Sequence, residues 1–269
     1  MILDELPDRY RLILCDLWGV VHDGYHLYEG AAERLREFRR DGRKVLLITN
    51  APRTSAAVEG QLARIGLPRD SWDGIATGGQ AGIDHLKGLD RPVGFLGTEE
   101  DRHILAEAGV RLAEDDNFSE LACTGLPNRR GSPEDYFPLL QSMAKRRVRM
   151  HCLNPDRVVI HGGVREYCAG AIADLYIGLG GEVDYYGKPY PAIYRYALSL
   201  AGDPTASEVL AIGDGLQTDI LGAARMGFDA VFVTGGIHAG EPFPSNFDAE
   251  NGLGEWKPVA IIEALGASA

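Results

Sequence analysis

A chain of 269 residues with 45% hydrophobic and 25% charged residues is long enough for one large domain or for a core domain carrying an insert, and two lobes are expected. A formal net charge of -12 argues against a broad phosphate-backbone contact surface, which needs clustered Lys and Arg, so no nucleic-acid partner is expected. The acidic N-terminal stretch broken by Pro7 is no signal peptide, no apolar run reaches membrane-spanning length, and Cys15, Cys123, Cys152 and Cys168 show no CxxC pair; a cytoplasmic protein with reduced thiols and no membrane partner is expected.

Residues 12–15 form a continuous apolar run, the pattern of a strand buried on both faces of a parallel sheet, and the run ends on Asp16. In VVHDGYHL, Asp23-Gly24 lies between short β-prone stretches and predicts a tight hairpin, a small flap. A helix over 31–40 should end at Gly42. A second apolar run, 45–48, ends on Thr49 and Asn50, and the helix after it, 54–65, should stop at Gly66. From about 84 to 184 the chain has strand and helix signals of its own: VGFLG, then Thr98 opening EEDRHILAEAG, then the capping pattern Ser132-Pro133-Glu134-Asp135 before YFPLLQSMAKRR. VRMHCL alternates and ends at the Asn154-Pro155-Asp156 turn. After Lys188, Pro189 and Pro191 suit a helix start, with Ile193, Ala197, Leu200 and Ala201 on one face and Gly202 at its end. Apolar runs at 209–212 and 230–233 follow, the first leading to Asp214 and, five residues on, Asp219. Strands alternating with helices predict a doubly wound, Rossmann-like α/β core with a parallel sheet, residues 1–83 and 185–269, and an inserted α/β cap, 84–184.

In such sheets ligands collect beyond the carboxyl ends of the strands, where Asp16, Thr49 and Asp214 are all expected. Taken singly, each has an ordinary reading: Asp16 as a turn cap, Thr49-Asn50 as a loop, Lys188 as a solvated lysine, Asp214 and Asp219 as a turn and a helix N-cap. Convergence favours a site. Several carboxylates at one sheet edge repel unless a cation joins them, and hard oxygen ligands select Mg2+. Asp16 before Gly19 suits an exposed nucleophile, Thr49 and Asn50 offer donors to a phosphoryl group, and Lys188 before a helix N-terminus suits a fixed positive charge.

The order of Asp16, ITNAPRTS, GKPYPAIY and GDGLQTDILGAARMG, with a lobe between the second and third elements, resembles the haloacid dehalogenase-like hydrolases, in particular the NagD-like and nitrophenylphosphatase-like members with a type IIA cap. The resemblance covers nearly the whole chain. It implies a Mg2+-dependent phosphatase of a small phosphorylated metabolite in which Asp16 forms an aspartyl-phosphate. Thr49 and Asn50 would bind the phosphate and Lys188 would bridge it to the nucleophile. Asp16, Asp214 and the backbone carbonyl of Trp18 would hold the metal with support from Asp219. Trp18 and Asn154 of the Asn-Pro-Asp turn would face the substrate, and a homodimer is left open.

Position 18 departs from the family, whose phosphatases carry a second Asp there as general acid and base; loss of such a group costs about 100- to 10,000-fold. Phenolates and acyl phosphates need little protonation, alkyl esters much more. His22 or Asp23 on the flap, or Asp156 in the insert, are alternative proton donors; the substrate could instead carry its own acidic leaving group stacked on Trp18. A weak or inactive relative, a carbon-halogen hydrolase and a non-catalytic phosphometabolite sensor are the rival readings. Cys15 is expected to be a buried strand residue, Arg53 a loop or substrate contact, and His238 a loop residue within reach of the site, while His103, His151 and His161 lack metal-ligand spacing.

Overall fold

The computed structural model describes residues 3–128, 130–161, 164–236 and 243–266. The chain packs as two compact units, one of Met1–Thr49, Glu59–Ala76 and Tyr194–Ala269, the other of Asn50–Val58 and Thr77–Ile193.

The apolar runs become strands β1 (Leu12–Asp16), β2 (Lys44–Thr49) and β3 (Gly74–Thr77), separated by helices α1 (Ala31–Arg40) and α2 (Ser55–Arg64), the last of which starts in the second unit and ends in the first. Every residue of β1 is buried, as a strand covered on both faces requires. Helix α1 keeps its predicted bounds because Ala31, Arg34, Leu35 and Phe38 share a buried face, while Gly42 closes the following turn at φ 81°.

The second unit opens with α3 (Gly78–Lys87), N-capped by Thr77, whose hydroxyl accepts the Gln80 N–H at 2.8 Å. Then come β4 (Gly94–Leu96), α4 (Glu99–Glu107), β5 (Glu120–Cys123), α5 (Phe137–Lys145), β6 (Arg149–Cys152), β7 (Val158–His161), β8 (Val164–Tyr167), α6 (Ala169–Gly178) and β9 (Glu182–Tyr185). The sheet β4-β5-β6-β9 is parallel in every pairing, and β7-β8 is a separate antiparallel ribbon. Leu121, Leu140, Met150, Ile172 and Tyr176 sit at the centre of this unit's core.

The chain returns through α7 (Pro191–Ala201), β10 (Val209–Gly213), α8 (Leu221–Met226), β11 (Asp229–Val233), α9 (Phe247–Asn251) and β12 (Ala260–Ile262). The core sheet runs β12-β11-β10-β1-β2-β3, with β1 parallel to both β10 and β2. The strand order therefore reverses between β1 and β10, and that crevice lies at the ends carrying Asp16 and Asp214.

Three local expectations are refined. Ser132 and Asp135 do make a capping box, but over a 3-10 turn, Pro133–Tyr136, and the α-helix starts only at Phe137. Pro138 has no N–H for the carbonyl four residues back, so an α-helix cannot run through from Pro133. Around Asp23-Gly24 the turn is present but the flanking strands are reduced to single bridges, Trp18 with His22 and His22 with Leu27. The Asp23 carboxylate accepts the N–H groups of Tyr25 (2.8 Å) and His26 (2.7 Å), which competes with a β-ladder. In α7 the buried stripe is Ile193, Tyr194 and Ala197; Leu200, in the last turn, is 38% exposed, where the stripe outruns the surface it covers.

Candidate active site

Asp16 closes β1, Asp214 follows β10 directly, and Asp219 sits in the π-helical turn Leu216–Ile220 after it. The two parallel strands, in register through Cys15 and Ile212, bring these acids together: all three are buried, with one ligand oxygen from each lying within 4.8 Å of the others. Asp219 is held by Gly215 N–H (3.1 Å) and the Thr218 hydroxyl (3.2 Å), both donating to Oδ2. At this separation, each carboxylate pair repels by about 3 kcal/mol at an effective dielectric of ~20. A trio of buried acids needs a bound cation or a retained proton to offset this repulsion, and its oxygens are the donor set of a hard divalent cation.

Glycines make the room. A Cβ on Gly19, whose φ is +87°, would stand 2.1 Å from Asp214 Oδ2, and one on Gly236 would stand 2.0 Å from the same oxygen. Gly213 is equally tight, 2.2 Å from the Asp219 Cβ. The sequence reading passed over Gly213 and Gly236; the paired glycines just after β11 were the available signal.

Trp18 is half-buried, edge-on to His22 with ring centroids 5.6 Å apart, and its indole lies against the Gly24 backbone, where a Cβ would come within 2.3 Å of the ring. His22 itself is buried and its Nδ1 accepts the Gly24 N–H at 2.9 Å. Burial pulls its pKa down to about 4 against a smaller upward pull from Asp23, so at neutral pH it is an uncharged acceptor. Asp23 is held below the usual carboxylate range by the His26 and Tyr25 N–H groups it accepts. Neither flap residue is a ready general acid, which corrects that expectation. His238 lies outside the described residues.

In the second unit, Asn50 is buried with its carboxamide fully engaged. Oδ1 accepts the Lys188 N–H (2.6 Å), and Nδ2 donates to Asp156 Oδ1 (2.8 Å) and to the Lys188 carbonyl (3.2 Å). The Asn50 amide, expected together with the backbone N–H groups to serve a phosphoryl group, clamps the backbone of Lys188. Asp156, considered as a proton donor, is an acceptor in this clamp. Lys188 is 4% exposed and is joined to Pro189 by a cis peptide. Gly187 is required beside it: a Cβ there would stand 2.5 Å from Asn50 Oδ1 and 2.4 Å from Pro155. Asn154 is buried and turns its Oδ1 to the Asp156 N–H at 3.1 Å, shaping the turn that presents Asp156. Arg53 lies 3.7 Å from Glu100.

Thr49 ends β2, one residue before Asn50. The four cysteines are buried and form no disulfide, Cys15 among them as expected of a strand residue. His103 pairs on the surface with Glu107 (3.1 Å), and His151 is buried between Tyr186 Oη (2.9 Å) and Glu120 (2.8 Å).

Comparison with known proteins agrees with this architecture. A family model described as haloacid dehalogenase-like hydrolase matches residues 13–111, and a HAD-hydrolase-like model matches residues 185–263. A crystal structure of a haloacid dehalogenase-like hydrolase from Brucella suis 1330 is 34% identical, with a TM-score of 0.83 over 98% of both chains. The ribonucleotide monophosphatase NagD of Escherichia coli K12 is 27% identical over 84% of this chain and 88% of its own. The glycerol phosphate phosphatase of Mycobacterium tuberculosis, solved in complex with magnesium, is 25% identical with a TM-score of 0.73 over 98% of this chain and 77% of its own. No described helix is long and apolar enough to cross a membrane. With Asp16 and Asp214 at the switch point of the sheet, the chain belongs to the haloacid dehalogenase-like hydrolases, in their NagD-like group with a type IIA cap.

Proposed function

We propose that the chain is a Mg2+-dependent phosphatase of a small phosphomonoester, acting through an aspartyl-phosphate on Asp16. The observation that carries this reading is the buried trio Asp16, Asp214 and Asp219 at the strand-order switch. It is supported by relatives named as phosphatases, one of them solved with magnesium. The substrate-binding parts are taken as the core, 1–83 and 185–269, and the cap, 84–184.

Asp16 attacks phosphorus in line with the bond to the leaving oxygen; that bond breaks as the Asp16 Oδ–P bond forms, and water then hydrolyses the acyl phosphate to return the carboxylate. The Thr49 hydroxyl and the Asn50 N–H donate to the phosphoryl oxygens, and Lys188, clamped through its backbone by Asn50, supplies positive charge to them. Asp16, Asp214 and the Trp18 carbonyl, with Asp219 behind them, would hold Mg2+, which supplies the charge neutralisation that lets a phosphate dianion approach a carboxylate. With tryptophan at position 18, and with His22 and Asp23 both acceptors, the motif offers no proton to the leaving oxygen. Esters whose leaving groups depart as stable anions are therefore the preferred substrates, and the indole is an aromatic wall for them.

The test is phosphate release from an aryl phosphate with and without Mg2+, in wild type and Asp16→Asn. Turnover that requires Mg2+ and disappears in Asp16→Asn is the expected result. Halide release without metal would instead identify a carbon-halogen hydrolase, and tight phosphoester binding without turnover, unchanged by Asp16→Asn, a sensor.

A further inference from the structure

Asn50, the Asn154-Pro155-Asp156 turn and the Gly187-Lys188 segment all belong to the second unit, and one carboxamide joins them. A carboxamide has two orientations of nearly the same shape, related by exchange of its oxygen and nitrogen, and its partners decide between them. At Asn50, Oδ1 accepts the Lys188 N–H at 2.6 Å, while Nδ2 lies 3.2 Å from the Lys188 carbonyl and 2.8 Å from Asp156 Oδ1. The flipped amide would set oxygen against both the Lys188 carbonyl and the Asp156 carboxylate, and nitrogen against the Lys188 N–H. Of the two acceptors facing Nδ2, the carboxylate is the closer and carries the charge, which makes its bond the stronger.

Asp156 is itself held through its backbone. Its N–H donates to Asn154 Oδ1 at 3.1 Å, and its carbonyl accepts the Gly170 N–H at 3.0 Å from the first turn of α6. Glycine is needed there because a Cβ on Gly170 would stand 2.1 Å from the Pro155 carbonyl oxygen. On the far side of Lys188 the turn is closed by the Tyr190 N–H, which donates to the Gly187 carbonyl at 2.9 Å. The Tyr190 ring stacks on Tyr185, with centroids 4.1 Å apart and planes 5° from parallel. The backbone that carries Lys188 is thus braced by a tyrosine stack on one side and by the Asn50 amide on the other.

We infer that Asp156 is a positioning residue for Lys188: its carboxylate selects the orientation of the Asn50 amide, which pins the N–H and the carbonyl of Lys188 and so aims the buried lysine. The inference rests on the phosphatase reading for what Lys188 does to a phosphoryl group. It goes beyond that reading in giving the Asn154–Asp156 turn a part in the rate. A preorganised charge acts on the transition state, so misaiming it lowers kcat, whereas loss of a substrate contact raises KM.

The experiment compares wild type, Asp156→Leu and Asp156→Asn, each as the full chain with Mg2+, by steady-state kinetics on an aryl phosphate and by hydrogen exchange at the Lys188 amide. Asp156→Asn keeps an acceptor oxygen for Asn50 Nδ2, and Asp156→Leu keeps none. In Asp156→Leu, kcat is expected to fall by at least about tenfold, the factor of a hydrogen bond to a charged group, with KM within about threefold of wild type. The Lys188 amide should exchange about tenfold faster, while the Thr124 amide, which donates to the Leu96 carbonyl at 3.0 Å in the same unit, keeps its rate. Asp156→Asn should return kcat and Lys188 exchange to within about threefold of wild type. A raised KM with kcat kept would place Asp156 on the substrate and overturn the inference. Equal losses in the two variants, Lys188 exchange unmoved in Asp156→Leu, or equal acceleration at Thr124, the sign of a general loss of structure, would also overturn it. Wild type without aryl turnover, but with Lys188 exchange in the expected order, would sink the phosphatase reading and leave the hold of Asp156 on Lys188 standing.

Discussion

On the proposed mechanism, Trp18 is the residue at which the chemistry would depart from that of the family. Its ring is packed on the Gly24 backbone and edge-on to His22, so it is a fixed wall. Trp18→Asp is expected to raise turnover of an alkyl phosphate by about 100-fold, the lower end of what a general acid contributes, while aryl turnover changes little. Trp18→Phe, which restores no acid, should raise neither, and steady-state kinetics on the two esters separates the outcomes. Gly236 is the second informative residue. Gly236→Ala would press a Cβ to 2.0 Å from Asp214 Oδ2, displacing the carboxylate, so the Mg2+ concentration for half-maximal activity should rise at least tenfold. Unchanged Mg2+ dependence would remove Asp214 from the metal site. The apolar runs ahead of Asp16 and Asp214 made the meeting of these acids legible, whereas the engagement of the Asn50 carboxamide was not, because its partners, Lys188 and Asp156, lie 138 and 106 residues away.

At the scale of elements, periodicity and punctuation carried the sequence reading furthest where the chain itself supplies the cause. Helix α1 ends by its glycine, and α4 starts at Thr98, whose hydroxyl accepts the Asp101 N–H at 3.2 Å. Glycines inside helices separate local from tertiary causes. Gly60 in α2 faces only the tip of Arg64, 3.7 Å from where a Cβ would sit, so Gly60→Ala should stabilise by about 0.5–1 kcal/mol through helix propensity. Gly222 in α8 lies under Tyr194, whose Oη would be 2.0 Å from a Cβ, and Gly222→Ala should destabilise. Urea unfolding of both variants checks the pair, and equal effects would contradict the packing described for α8.

Across the whole molecule, acid sensitivity follows from two buried histidines, His22 in the first unit, whose pKa burial pulls down to about 4, and His151 in the second. Burial lowers the pKa of His151, with Glu120 pulling it back up and His85 adding to the fall; Tyr186 and Asp184 are the other titratable neighbours. The unfolded chain then binds the proton first, so stability present above the ordinary histidine pKa of about 6.5 falls as the solution is acidified below it. His151→Asn should be less stable at pH 7.5 yet show a flatter decline below pH 6.5, the slope changing by up to about 1.4 kcal/mol per pH unit for one proton. An unchanged slope would assign the acid sensitivity elsewhere. By itself the sequence determined the alternation of strands and helices and the acids at strand ends, because both are written in local hydrophobic period and chain order. Only the tertiary structure decided that His22 and Asp23 are acceptors, that Asn50 clamps Lys188, and that Gly19 and Gly236 make room for Asp214. These depend on which buried groups meet across distant segments, and hydrogen-bond saturation and steric room are properties of that meeting.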